Sequence, residues 1–328
     1  MTPTTLTART PEDLLAAVPV VLGFQPTDSL VMLTFGGPRP FHARVDLPPG
    51  PDEVTEVVEM LLGPAREHGV RHVVLVAYSA DGPAASRAVG ALRREARSSG
   101  IDVLDAFRAH DGRWFSLAPG GRLGVPAGGV PYDVSAHPFA AQAVLDGRVT
   151  HGSRDELAAS LAPDPERAAA VAAAVAALPR WGRDDGTEQV WVAGTVRRLV
   201  RDATLPDDVE AARLLTAVRV PDVRDVAREQ VDRADVRAHV ELWTDLLRRA
   251  PDALAAAPAA LLAFAAWLAG HGALAWCALD RCEAVTPDGA DPPDPAGLVA
   301  ALLQRAVPPR EWEEGWGHLR PRSGRHST

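Results

Sequence analysis

The sequence contains no lysine. All 34 basic residues are arginine, asparagine is also absent, and Ile101 is the single isoleucine. Without an ε-amino group the chain cannot supply a Schiff-base nucleophile, a phosphate-loop lysine or the lysine of a protein kinase. Composition alone therefore excludes several large enzyme classes. Because the codons of all three missing or scarce residues are AT-rich, the gene is expected to be rich in GC.

Cysteine is scarce as well, with Cys277 and Cys282 as the two copies. Five positions apart in a segment with a helical pattern, they point to different faces, and two thiols are too few for a metal cage. We expect both to be buried as small apolar side chains with no disulfide. Since the first residues, MTPTTLTARTPEDLL, also lack the order of a signal peptide, the sequence predicts a cytoplasmic protein.

Clustered positive charge is missing too. The formal net charge is -9, from 34 basic and 43 acidic residues, and no run of arginines stands out. Binding to phosphate backbones depends on such clusters, so we expect no nucleic-acid partner. A balance of 47% hydrophobic and 23% charged residues over 328 positions is that of a globular chain long enough for two domains.

One charge-free run, from Ala253 to Leu279, is long enough to span a bilayer. Pro258 and the sequence Gly270-His271-Gly272 divide it into two short segments, which favours a buried helical hairpin over a membrane span. We therefore expect no membrane partner and place His271 at the exposed corner of the hairpin. The side chains predicted to point inward are Leu262, Trp267, Leu274 and Trp276.

The rest of the chain is organised around the stretch from Arg71 to Gly82, RHVVLVAYSADG. Its residues from Val73 to Tyr78 are all apolar or aromatic, which indicates a strand covered on both faces. Helical patterns precede and follow it, and each connects to a further strand. The sequence thus predicts an α/β fold: a mixed, mostly parallel five-stranded sheet with flanking helices and this strand at its centre, followed by an all-α helical region.

Four parts follow along the chain. Residues 1–118 form the predicted α/β domain, and residues 119–134, rich in glycine and proline without periodicity, form a linker or surface loop. Residues 135–310 read as a helical domain because helical patterns follow one another there, with proline near the start of many. Residues 311–328 form a polar tail.

Four stretches resemble a known family. LLAAVPVVLGFQPTDSLVMLTF at the start, FHARVDLP, HPFAAQAVLDGRVTHGSRDELAASLAP and AWLAGHGALAWCALDRC are similar to domain of unknown function 4192, an actinobacterial family. Together they span most of the chain. The resemblance implies no activity that can be carried over. One departure is that many members carry cysteines in a proline-rich segment after the fifth strand, whereas APGGRLGVPAGGVP has none. If those members use the cysteines for a metal or a disulfide, this chain cannot.

No catalytic motif such as GxSxG, HExxH, GxGxxG or paired CxxC is present. Candidate site residues come instead from the predicted topology, because ligands of open sheets lie beyond the carboxyl ends of the parallel strands. The first strand runs antiparallel to the second, so its beginning returns to the same edge. The side chains expected along this rim are Asp28, Ser29, Asp46, Tyr78, Ser79, Asp81 and His110.

Two functions fit this rim. In the first, the chain is a binding or interaction protein with an unknown small ligand or protein partner, the small ligand lying at the carboxyl edge of the sheet. In the second, it is a metal-assisted or acid/base enzyme of hydrolase type, in which Asp28, Asp46 and Asp81 hold Mg²⁺ or work with His110. A purely structural interpretation stays open beside both, with the aspartates as turn, cap and strand-end residues. The sequence assigns neither a catalytic residue nor a metal ligand nor a cofactor.

Overall fold

The computed structural model describes residues 8–37, 41–120, 124–145, 149–179 and 185–316. Its contacts divide the chain into two compact units. One unit covers the chain up to Glu156 together with residues 304–306, and the other covers residues 157–303 and the chain from Val307 onward. The domain boundaries expected from the sequence stay a prediction, and most of the predicted polar tail, residues 317–328, lies outside the described residues.

The first unit is an α/β structure built on one six-stranded mixed sheet. Its strands follow the order β2-β1-β3-β4-β5-β6. The elements are α1 (Pro11–Leu22), β1 (Ser29–Phe35), β2 (His42–Asp46), α2 (Val54–Glu67), β3 (His72–Tyr78), α3 (Gly82–Ser98), β4 (Asp102–His110), β5 (Arg113–Ser116), β6 (Val130–Pro131), α4 (Pro138–Leu145) and α5 (Arg154–Ala159), the last of which crosses the boundary between the units.

The prediction of a mostly parallel, five-stranded sheet is wrong. Only β3 and β4 pair in parallel, while every other neighbouring pair in the sheet is antiparallel. The reason is the position of β1, which lies between β2 and β3 and runs antiparallel to both. The connection from β2 through α2 therefore skips one strand before β3, although β2, β3 and β4 still run in the same direction.

The sixth strand comes from the stretch expected to be a linker or loop. Val130 and Pro131 pair with Trp114 and Arg113 of β5 and form the short edge strand β6. Proline at an edge is compatible with the sheet because its missing N–H group can face away from the partner strand. No hydrophobic periodicity marks a strand of two residues, so the sequence pattern could not reveal it.

The central strands are buried on both faces, as predicted for Val73 to Tyr78. Val74 and Leu75 are 3% and 0% exposed, and β1 is nearly as well covered. On one face Leu75 and its neighbours pack against α2 and α3. On the other face Val74, Val76 and Tyr78 pack with Leu15 and Val18 of α1. This alternation gives the unit three layers, with the sheet in the middle.

The second unit is helical in its described residues. Its helices are α6 (Pro165–Ala177), α7 (Asp185–Asp202), α8 (Asp208–Ala217), α9 (Pro221–Glu229), α10 (Val236–Arg249), α11 (Asp252–Leu268), α12 (Gly272–Val285), α13 (Ala296–Gln304) and α14 (Pro309–Trp316). Almost every residue of α11 is buried, which identifies it as the central helix of this unit. Cys277 and Cys282 on α12 are both buried and form no disulfide, as expected.

The predicted hairpin between α11 and α12 is confirmed. Helix α11 ends at Leu268, Gly270 has a left-handed φ of 79°, and α12 begins at Gly272 after an exposed His271. Of the four side chains predicted to point inward, Leu262 and Trp267 are buried, whereas Leu274 and Trp276 are half-buried. The two helices pack against each other. Within the part of the chain that the structure describes, no helix is long and apolar enough to cross a membrane.

The two glycines at this corner allow a matched test of backbone strain. We expect Gly270→Ala to lower the free energy of unfolding by about 1 kcal/mol or more, because an alanine resists the left-handed φ although its Cβ would meet no atom within 4 Å. Gly272→Ala is the control, since its φ is not left-handed and its Cβ would meet Leu303 at an ordinary 3.6 Å. Urea titration of both variants measures the difference. An equal cost for the two would contradict the assignment of the strained turn to Gly270.

Candidate binding cleft

A cleft of about 360 Å³ opens at the edge of the sheet where β3 and β4 end. Three segments and one further residue line it: residues 25–28 before β1, residues 78–80 at the end of β3, residues 109–112 at the end of β4 and in the turn that follows, and Tyr132 after β6. The strand register explains why these segments lie side by side, because Ser29 at the start of β1 pairs with Tyr78, and Tyr78 pairs with Ala109 of β4. Its volume lies at the lower end of the range of small-ligand sites.

Asp28 and Ser79 form one wall of the cleft. The Ser79 hydroxyl donates a hydrogen bond of 3.2 Å to Oδ1 of Asp28, and it accepts one of 3.1 Å from the backbone N–H of Asp81. Asp28 adopts a left-handed φ of 40°, and its carbonyl oxygen accepts a hydrogen bond from Leu47. Aspartate tolerates this backbone conformation better than most residues. The turn thus holds an exposed carboxylate at the mouth of the cleft.

Tyr78 and Tyr132 bring two phenol rings to the same cleft. Tyr78 is 5% exposed, and its hydroxyl oxygen is buried without a hydrogen-bond partner among the described residues. Burial raises the pKa of Tyr78 well above its usual range, and the neighbouring Tyr132 adds to this rise. Burial also raises the pKa of Tyr132. Both phenols are therefore protonated and neutral at physiological pH.

The turn between β4 and β5, which the Asp111-Gly112 sequence predicts, also lines the cleft. Asp111 has a φ of 49° and Gly112 a φ of 63°, so both adopt the left-handed conformation of a tight hairpin turn. The carbonyl oxygen of Gly112 accepts a hydrogen bond of 2.9 Å from the N–H of Tyr132. The exposed side chains of His110 and Asp111 border the cleft beside this turn.

Of the seven residues predicted from the rim, the structure brings four into this cleft: Asp28, Tyr78, Ser79 and His110. The predicted Asp46 does not line it, because β2 is the edge strand of the sheet and its carboxylate forms an ion pair of 2.7 Å with Arg44. Ser29, also outside the lining, is buried and accepts a hydrogen bond from Nε of Arg44.

The predicted Asp81 is the N-cap of α3. Its side chain accepts a hydrogen bond of 2.8 Å from the backbone N–H of Ala84. This is the capping role that the purely structural interpretation gave it. The described residues contain no group of three or more His, Cys, Asp or Glu side chains placed to hold a metal ion.

Sequence reasoning missed Tyr132, Gln25 and Asp111 as lining residues. Tyr132 lies in the stretch interpreted as a linker, and Gln25 lies in the turn before β1. One signal could have identified Tyr132, since the whole chain contains two tyrosines and this one stands among small residues and prolines. Neither Gln25 nor Asp111 carries a comparable signal.

Comparison with known families agrees with the resemblance noted above. The family model described as Domain of unknown function (DUF4192) matches residues 11–310. The chain belongs to the DUF4192 family. The matched residues include the cleft and most of the helical unit, so both belong to the DUF4192 domain. No curated protein and no solved structure matches the chain.

Proposed function

We propose that this DUF4192 protein binds a small polar ligand in the cleft at the carboxyl edge of its sheet. The observation that carries the proposal is the hydroxyl group of Tyr78. Tyr78 belongs to the lining of the cleft, its hydroxyl oxygen is buried, and no described group forms a hydrogen bond with it. A buried polar group without a partner costs about 1 to 3 kcal/mol, and a bound ligand that forms the missing hydrogen bond would recover this free energy.

The position of the cleft supports the same function. In open sheets ligands lie beyond the carboxyl ends of parallel strands, and β3 and β4 are the one parallel pair among the described strands of this sheet. Asp28, Ser79 and His110 add polar groups that can orient a ligand above the buried phenol. A concave site with few convergent polar groups is the usual form of a small-molecule site.

The enzyme hypothesis receives less support. A metal-assisted or acid/base mechanism of the kind expected from the rim needs its carboxylates around one shared site. Asp46 is engaged with Arg44 and Asp81 caps α3, so Asp28 is the one carboxylate of the three that lines the cleft. Binding without chemistry is therefore the function that these contacts favour.

We infer an actinobacterial source and a cytoplasmic location for the protein. The absence of lysine and asparagine, with one isoleucine, supports a GC-rich gene. Two buried cysteines that form no disulfide fit a reducing compartment.

Tyr78→Phe tests the proposal in the ligand-free protein. We expect the free energy of unfolding to stay unchanged or to rise by up to about 1 kcal/mol, because the substitution removes a buried polar atom that has no partner. Tyr132→Phe, half-buried in the same cleft, is the comparison and should change stability by less than about 0.5 kcal/mol. A loss of 1 kcal/mol or more in Tyr78→Phe, measured by urea titration, would show that the hydroxyl is satisfied within the protein.

Binding is tested by a thermal-shift screen of small polar compounds, which includes nucleotides, sugar phosphates, amines and divalent ions. A compound that occupies the cleft should bind about 10-fold more weakly to Tyr78→Phe, because one hydrogen bond to the ligand is lost. Compounds that bind the variant with full affinity would place the binding site elsewhere.

A further inference from the structure

Acidic side chains outnumber basic ones in the lining of the cleft, where His110 lies beside two aspartates. Asp28 and Asp111 both line it, and no arginine belongs to its lining among the described residues. A site for phosphate or carboxylate ligands usually presents arginine or lysine, and this chain has no lysine at all. The charge of the walls therefore disfavours an anionic ligand.

Arg108 and Arg113, next in sequence to residues of the lining, are engaged with the backbone. Nη1 of Arg108 donates to the carbonyl oxygens of Ser79 at 3.1 Å and Ala80 at 3.5 Å, and the guanidinium group lies over the ring of Phe115 at 4.0 Å. Arg113 donates to the carbonyl oxygens of Gly128 and Gly129 in the same way. These contacts position the loops around the cleft and use N–H groups that could otherwise have bound an anion.

Several polar groups of the lining suit a ligand that donates hydrogen bonds. The two carboxylates are acceptors only, and a phenol oxygen can accept as well as donate, while Gln25, Thr27 and His110 can take either role. Tyr78 supplies an independent indication of a ligand, because this residue lines the cleft and its buried hydroxyl has no hydrogen-bond partner among the described residues. Ammonium groups donate several N–H bonds and are attracted to the faces of aromatic rings such as those of Tyr78 and Tyr132.

From these observations we infer that the ligand of the cleft is a small organic cation, an amine or ammonium compound a few carbon atoms long. The inference rests on the proposed binding function and specifies its ligand class. Asp28 and Asp111 attract the cation, and the phenol oxygen of Tyr78 accepts an N–H bond. Because the attraction is electrostatic, the affinity decreases as the salt concentration rises.

Three four-carbon probes separate the ligand classes: 1,4-diaminobutane, 1,4-butanediol and succinate. They are cationic, neutral and anionic at pH 7 and nearly equal in length. In calorimetric titrations of the full chain we expect the diamine to bind at least about 10-fold more tightly than the diol. Succinate should give no binding signal at about 10 mM, a concentration above the dissociation constants expected of such small ligands.

Substitutions test whether the carboxylates of the cleft bind the diamine. Asp28→Asn and Asp111→Asn remove one charge each and keep the turns, because asparagine tolerates their left-handed φ of 40° and 49°. Each should weaken diamine binding by about 5- to 10-fold. Asp46→Asn is the matched control, since this carboxylate lies at the same edge of the sheet but outside the cleft, and it should leave the affinity unchanged.

Several results would overturn the inference. Equal or tighter binding of the diol or of succinate would assign the cleft to another ligand class, and the binding function would stand. If neither Asp28→Asn nor Asp111→Asn changes the affinity for the diamine, the cation binds elsewhere. If none of the three probes binds, the cation class is wrong, whereas the proposed binding function fails separately if Tyr78→Phe proves destabilising.

Discussion

Asp245→Ala should lower the free energy of unfolding by about 3 to 5 kcal/mol, because it leaves the charge of Arg249 buried without its main partner. Asp245 on α10 is 7% exposed and Arg249 is 2% exposed. Oδ2 of Asp245 accepts hydrogen bonds from Nε of Arg249 at 2.8 Å and from its Nη2, and Oδ1 pairs with Arg167 at 2.8 Å. After the substitution Arg249 keeps the carbonyl oxygen of Pro206 and a contact of 3.4 Å with the half-exposed Asp208.

The same helix offers a control with the same spacing. Arg237 and Glu241 form an ion pair four residues apart on α10, but their side chains are 68% and 60% exposed. Glu241→Ala should therefore cost less than about 0.5 kcal/mol. Urea titrations followed by circular dichroism compare the two variants. Similar costs for both would show that burial adds nothing to the Asp245–Arg249 pair.

Leu75→Ala should lower the free energy of unfolding by about 2 to 5 kcal/mol. Leu75 is fully buried in β3 and packs in the core between the sheet and helices α2 and α3. The substitution removes apolar surface from this core and leaves a cavity that the surrounding side chains fill only in part.

Leu104→Ala is the matched control for Leu75→Ala. Leu104 lies on the neighbouring strand β4 and is 59% exposed, so its truncation should change stability by less than about 0.5 kcal/mol. The same urea titration measures both variants. A cost below about 1 kcal/mol for Leu75→Ala would mean that β3 is not the packed centre of the sheet.

Local elements of this fold could be predicted from the sequence, because hydrophobic pattern and turn residues determine them. The apolar run from Val73 to Tyr78 predicted a strand buried on both faces, and Gly270 predicted the corner between α11 and α12. The strand order could not be predicted in this way. The run of β1 is as apolar as that of β3, so the pattern could not show that β1 lies between β2 and β3.

The sequence could predict which residues lie at this edge of the sheet, because their position depends on the directions of the strands. Because β2, β3 and β4 run in one direction and β1 in the other, the residues at the expected ends do lie along one edge of the sheet. The order of the strands then decides which of them meet. Asp46 follows the edge strand and lies outside the cleft, whereas Tyr132 enters it through β6, a strand too short to leave a pattern.

The most direct measurement uses the fact that the chain has two tyrosines and that both line the cleft. Replacing tyrosine by 3-fluorotyrosine should give two ¹⁹F resonances, which Tyr78→Phe and Tyr132→Phe assign. We predict that compounds found to bind, from a library of small cations, anions and neutral hydroxyl compounds, will shift both resonances, with cations giving the largest shifts. The assignment of the cleft as the ligand site is contradicted if the compounds that bind leave both resonances unchanged. It is also contradicted if no compound in the library shifts either resonance.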